Sequence, residues 1–251
     1  MLRVPTLEKM RGLKLHGMAK AFEEQLSSPD CKDLSFEDRL GLMVDREATD
    51  RGNRRLQTRL RNAKLRLQAC MEDIDYRHPR GLDKSLIKSL SSCQWVRDHN
   101  NIILTGPTGA GKSFISCALA HRACLEGYTV IYYRAPRLFQ DLSVARGDGR
   151  YGKLINSIAR SQLLVIDDWG LSALNDLERR DLLEILEDRH GISSTIVAGQ
   201  LPLEHWHEII GNPTIADAIL DRLIHNAYKI NLKGDSMRKK KNNVDSATVK
   251  E

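Results

Sequence analysis

The stretch Asn101-Ile-Ile-Leu-Thr-Gly106-Pro107-Thr108-Gly109-Ala110-Gly111-Lys112-Ser113-Phe-Ile-Ser-Cys-Ala-Leu119 decides how the rest of this chain reads. An apolar run, Ile102 to Leu104, predicts a short buried strand, and the glycine-rich turn after it opens into a helix-like continuation. A helix that starts this way leaves free backbone N–H groups pointing at whatever lies in the turn, which favours a polyanion. Gly106, Gly109 and Gly111 permit backbone angles and a close approach that side chains would block. Lys112 supplies a compact positive charge for the β and γ phosphates of a nucleotide, and the Ser113 hydroxyl suits a Mg2+ ion bridging them. Glycine turns between strands and helices are common, but such a turn does not require a Lys-Ser pair at this offset.

A second apolar run, Leu163-Leu-Val-Ile166, ends in Asp167-Asp168. If it is a strand parallel to the first, both carboxylates arrive at the same sheet edge as the glycine loop. Asp167 is then the natural Mg2+ partner of Ser113. Two readings fit Asp168: it orients or polarises an attacking water, or it caps the following turn. The remaining pattern alternates strands (Tyr128 to Tyr133, Thr195 to Ala198, Tyr228 to Leu232) with helices (Phe114 to Glu126, Pro136 to Ala145, Tyr151 to Arg160, Asn175 to His190, Thr214 to His225). This predicts an α/β fold with a parallel sheet covered on both faces and a ligand at the carboxyl ends of its strands.

With 251 residues the chain has room for this domain and a smaller one. Residues 1–90 are expected to form an all-helical amino-terminal domain, 91–234 the nucleotide core and 235–251 a basic tail. A hydrophobic content of 41% with 29% charge describes a globular chain, and no apolar run approaches a membrane span, so a cytoplasmic protein with no membrane contact is expected. The five cysteines are scattered and never closely paired, which favours reduced thiols over disulfides or zinc. Two readings of Trp95 stand: it packs beside an adenine, or it belongs to the core.

Charge is unevenly spread. Residues 1–98 carry 20 Lys and Arg against 15 Asp and Glu, residues 99–228 carry 12 against 15, and residues 229–251 carry 7 against 3. Basic flanks around a slightly acidic core point to a polyanionic partner, nucleic acid first. From Asp38 to Ile74 the apolar residues keep a helical period, and on its polar side Arg51, Arg54, Arg55, Arg59 and Arg66 are prominent. Arg51, Arg55 and Arg59, with Arg66 seven further on, form a stripe down one face that suits a phosphate backbone. A solvated face is the plainer reading. Arg146 and Arg150 in an exposed loop, and Lys239 and Lys240 in the tail, complete the candidate DNA contacts, although the tail also reads as a solubilising end.

Beyond the phosphate loop, the sequences Leu-Val-Ile-Asp-Asp-Trp-Gly170, Ala-Ile-Leu-Asp221-Arg222-Leu and Leu-Lys-Gly234-Asp-Ser-Met-Arg238 resemble the IstB family of ATP-binding transposition helpers. That family belongs to the AAA+ ATPases and is related to the bacterial helicase loaders. Leu-Met-Val-Asp45-Arg-Glu47, Asn53-Arg-Arg-Leu56 and Asp75 to Asp83 extend the resemblance to the helical front. It implies ATP and Mg2+ as ligands, a homo-oligomer with ATP at subunit interfaces, double-stranded DNA and a cognate transposase as partners, and ATP hydrolysis. It also implies roles for single residues: Arg222 as an arginine finger reaching a neighbour's ATP, Gln200 as a sensor of the γ-phosphate or water, and Arg238 as a second sensor. A replicative helicase loader is the runner-up, and a small-molecule kinase, which would need a compact acceptor pocket, is the third reading.

Overall fold

The structure, a computed structural model, describes residues 3–234 together with Ser236 and Met237. Its elements run α1 (Arg3–Gly12), α2 (His16–Ser27), α3 (Phe36–Ala63), α4 (Lys84–Leu90), α5 (Gln94–Arg97), β1 (Asn101–Thr105) and α6 (Lys112–Leu125). These are followed by β2 (Val130–Arg134), α7 (Ala135–Gly147), α8 (Tyr151–Ala159), β3 (Leu163–Trp169), α9 (Asp176–Arg189), β4 (Ser194–Gly199), α10 (Trp206–Ile210), α11 (Pro213–Ile224) and β5 (Ala227–Asn231).

All strand pairs are parallel, in the order β2-β3-β4-β1-β5. Every residue of β1 and β4 is buried, as expected for a sheet covered on both faces. Side chains alternate across it. Ile103, Leu164, Ile166 and Val197 join one core with Leu138, Ile155, Ile185 and Ile219 from the helices α7, α8, α9 and α11. Ile102, Leu104, Val165 and Ile196 are equally buried but lie outside that cluster, so they face the other side, where α6 packs on β1, β3 and β4. Asn175 caps α9 through a reciprocal pair: its side chain accepts from the Leu177 and Glu178 N–H groups, while Glu178 accepts from the Asn175 N–H.

The described residues fall into two compact units divided between Thr58 and Arg59. In the first, α2 begins against α3: the buried Glu47 carboxylate accepts from the Gly17 and Met18 N–H groups at 2.7 and 3.1 Å, neutralising open donors of the α2 terminus. Residues 59–90, expected with the amino-terminal helices, fall in the second unit. They group with the sheet because their side chains are spent there: Arg59 donates to the Cys124 carbonyl at 3.1 Å, and Ile87 and Leu90 are buried.

The helix expected to reach Ile74 also stops early. Lys64 turns to φ +51, α3 ends at Ala63, and Arg66 therefore does not share a helix face with Arg51, Arg55 and Arg59. Trp95 is a core residue, its indole N–H donating to the Leu90 carbonyl at 3.0 Å. All five cysteines are free.

Candidate nucleotide-binding site

β1 delivers Gly106 to the carboxyl edge of the sheet. Gly106 adopts φ +140, and a side chain there would run into the Leu232 carbonyl. Gly111, at φ +98, caps the start of α6; a side chain would strike the guanidinium of Arg80. These two positions therefore need glycine for conformation and for space. Arg80 is only 2% exposed and braces the loop from behind, donating to the Ala110 carbonyl at 2.9 Å and to the Asp75 carbonyl at 2.9 Å. The segment after β5 closes the other flank, where the Leu232 N–H donates to Thr105 and the Met237 N–H to Gly109, at 2.8 and 3.0 Å. Around this cradle Pro107 and Thr108 are exposed, Gly109 and Ser113 half-buried and Ala110 buried.

Lys112 is buried, and its ammonium donates to the Gly106 and Pro107 carbonyls at 2.8 and 3.0 Å. An ammonium has three N–H bonds, so one donor is left over by these contacts. Burial pulls the Lys112 pKa below the ordinary lysine value, while the charges of Asp167 and Asp168 work in the opposite direction. A phosphate in the loop would supply what burial has removed.

β3 brings both carboxylates to the same edge, two strands from β1. Asp167 is 1% exposed; its Oδ2 accepts from the Tyr132 hydroxyl at 2.6 Å and its Oδ1 from the Asp168 N–H at 2.8 Å. Among the described residues it forms no ion pair, although its charge acts on the buried Lys112 ammonium of the phosphate loop. Such a carboxylate and the Ser113 hydroxyl are hard-oxygen donors of the kind Mg2+ takes. Tyr132 is held protonated, its pKa raised by burial first and then by the hydrogen bond to Asp167.

Asp168 adopts φ +54, an uncommon backbone for a residue with a side chain. Its Oδ2 accepts from Arg134 Nε at 2.6 Å and from Arg66 Nη1 at 3.2 Å. Two guanidinium groups thus hold the carboxylate, and polarising a water would require that grip to loosen. Gln200 follows β4 directly, and Gly199 is in register with Trp169, which places Gln200 at this same edge, exposed.

Arg222 is elsewhere. It lies in the last turn of α11, which feeds the amino end of β5. The Asn101 side chain, at the amino end of β1, donates to the Arg222 and Leu223 carbonyls at 3.0 and 3.2 Å. Lys112, Asp167, Asp168 and Gln200 therefore share one edge of the sheet, and Arg222 the opposite one. Arg222 Nη2 pairs with Glu187 at 2.5 Å, not with Asp217 or Asp221 on its own helix.

The candidate DNA contacts are largely occupied within the chain. Arg51 and Arg54 pair with Glu47, and Arg66 with Asp168. Arg146 ends α7 rather than lying in a loop; it pairs with Asp181 and stacks over the Tyr151 ring, while Arg150 pairs with Asp148. Arg55 is exposed and has no ion pair among the described residues. Arg238, Lys239 and Lys240 lie outside the described residues. Sequence reasoning missed Tyr132, Arg134, Arg80 and Glu187. Arg134 was reachable only through sheet order, since it matters by standing in register with Asp167.

A five-stranded parallel sheet in this order, with a glycine loop after β1 and a buried aspartate at the end of β3, defines a P-loop protein of the AAA+ class. Among the solved structures that share the fold are a helicase loader and a replication initiator. The DnaC helicase loader is 18% identical, with a TM-score of 0.55, over 68% of this chain and 100% of that one. AMPPCP-bound DnaA from Aquifex aeolicus is 18% identical, with a TM-score of 0.58, over 73% of this chain and 56% of that one. Within the class, residues 8–245 match the family of IstB-like ATP binding proteins, and the chain belongs to that family. One relative, an insertion sequence ATP-binding protein of Sinorhizobium fredii, is 54% identical over 239 residues, spanning 95% of this chain and 98% of the relative.

Proposed function

We propose that this chain is an ATP-dependent assembly factor that lines up on duplex DNA and assists the transposase of an insertion sequence. ATP sits in the cradle of residues 106–113, with Lys112 on its phosphates. Ser113 and Asp167 would hold Mg2+, which would supply charge neutralisation at the terminal phosphates. Asp168 and Gln200 address the water. The observation that carries the reading is the position of Arg222, across the sheet from Lys112 and Asp167. A guanidinium there cannot serve its own nucleotide, but a second copy docked edge to edge would receive it, as an arginine finger supplied in trans.

Support for the transposition role comes from family membership and from relatives named for insertion sequences. No helix among the described residues is long and apolar enough to cross a membrane. A replicative helicase loader remains the second reading, and one observation favours it. Phe36, Leu40 and Val44, four residues apart on α3, are 73%, 40% and 51% exposed, an apolar face of the kind that docks another protein.

Sedimentation of the protein with duplex DNA tests the proposal. Wild type should form ATP-dependent multimers on the duplex, and Lys112→Ala and Arg222→Ala should not. A wild-type chain that stays solitary under saturating ATP and duplex would refute it. A preference for single strands would turn the reading toward helicase loading.

A further inference from the structure

Arg222 has a fixed root and a movable tip. The Asn101 side chain holds the Arg222 and Leu223 carbonyls, accepts from the Thr195 N–H at 2.8 Å, and is itself the first residue of β1. Backbone motion at Arg222 would therefore break contacts with two strands. The guanidinium is less constrained: Nη1 donates to the Ala218 carbonyl at 2.9 Å, Nη2 pairs with Glu187, and Nε has no hydrogen-bond partner.

Glu187 lies near the end of α9, packed beside α11, and its carboxylate is about half exposed. A carboxylate and a phosphate present the same chemistry to a guanidinium, two or more anionic oxygens matched to a fork of donors. The surroundings are otherwise cationic or neutral: Arg189, His99, His190 and Asn226 line the cavity beside Arg222. Arg189 is fully engaged, donating to the Ser161 and Ser194 carbonyls at 2.6 and 2.5 Å, so Arg222 is the guanidinium there with donors to spare.

We infer that Glu187 is an internal stand-in for the phosphate of a neighbouring copy: it parks the Arg222 guanidinium, and assembly requires the neighbour's nucleotide to displace it. This rests on Arg222 serving a neighbour's ATP, as proposed above. The pair is partly solvated, which suits a contact that must open; a deeply buried pair would hold too tightly. Glu187 then sets the nucleotide occupancy at which chains join, and single copies keep the finger out of solvent until they meet a loaded partner.

The test is the ATP concentration giving half-maximal assembly, read by sedimentation of the full chain with Mg2+ and duplex DNA. Glu187→Gln should lower that concentration about two- to five-fold, the range of a partly exposed ion pair. Glu187→Asp keeps the charge but shortens the reach, and should fall between Gln and wild type. An unchanged or raised requirement in either variant, with thermal unfolding as in wild type, overturns the parking role. Arg222→Ala separates this from failure of the underlying reading. If it assembles like wild type, no finger acts in trans; if it fails to assemble while Glu187→Gln gains nothing, the parking role alone is wrong.

Discussion

The Tyr132 hydroxyl donates to Asp167 Oδ2 at 2.6 Å, joining β2 to a carboxylate of the sheet edge that forms no ion pair among the described residues. The bond takes one oxygen, and the Asp168 N–H takes the other, so the orientation of the carboxylate is set before any metal arrives. Tyr132→Phe keeps the ring and removes the donor. Leaving a buried charged acceptor short of one bond should cost about 1–3 kcal/mol of folding stability. It should also weaken Mg2+-dependent ATP binding more than Mg2+-free binding, because the lost group acts on the metal ligand. Denaturant unfolding and nucleotide titrations with and without Mg2+ check both parts; equal losses in the two titrations would mean Tyr132 acts on the fold alone.

Asp168 is gripped by Arg134 and Arg66 on a backbone at φ +54, so its availability to a water depends on those two side chains. Arg66→Ala with Arg134→Ala should raise basal hydrolysis at saturating ATP several-fold without DNA. Asp168→Asn should bind ATP normally and hydrolyse it slowly. A double-alanine variant with unchanged or lower turnover would recast the arginines as supports that aim the carboxylate.

Lys112 gives a pH signature. Its pKa lies below the ordinary lysine value chiefly because burial strips water from the ammonium, and bound phosphates would favour the charged form again. Binding then takes up a proton once the pH passes the free-state pKa, and affinity should fall by up to about tenfold per pH unit from there. The decline should begin below the usual lysine range. ATP titrations from neutral to alkaline pH would show it; a flat profile up to about pH 10.4 would mean the ammonium is not desolvated before ATP binds.

What was legible in the chain follows from range. The strand, glycine loop and helix of residues 101–119 are local, and periodicity places them close to where they lie. Asp167 was legible because a short apolar run downstream of the phosphate loop reads as a buried strand that ends in it. The end of α3 was hidden, since the apolar spacing continues through Leu67 and Met71 although those residues serve another stretch of chain. The partners of the arginines were hidden for a related reason. A guanidinium in a helical pattern shows its charge but not its partner, and Asp168 lies 102 residues from Arg66 and Glu187 35 from Arg222. Ion pairs across that separation exist only once the sheet order is known.

The amino-terminal arginines divide into paired and unpaired, and this reshapes the DNA test. Arg51 and Arg54 share Glu47, whose carboxylate also holds the start of α2, so reversing their charge would injure the fold of that unit as well as any DNA contact. Arg55 lacks an ion pair among the described residues, and Arg55→Gln removes a charge without stranding a partner. If Arg55 meets a phosphate, the slope of log affinity against log salt on duplex DNA should become shallower by about 0.9, the release of one condensed counterion. Unfolding should be unaffected. Binding titrations over a salt series decide it: an unchanged slope with intact assembly would move the duplex off this helix face and onto the carboxyl-terminal lysines, where Lys239→Gln with Lys240→Gln should then flatten the slope instead.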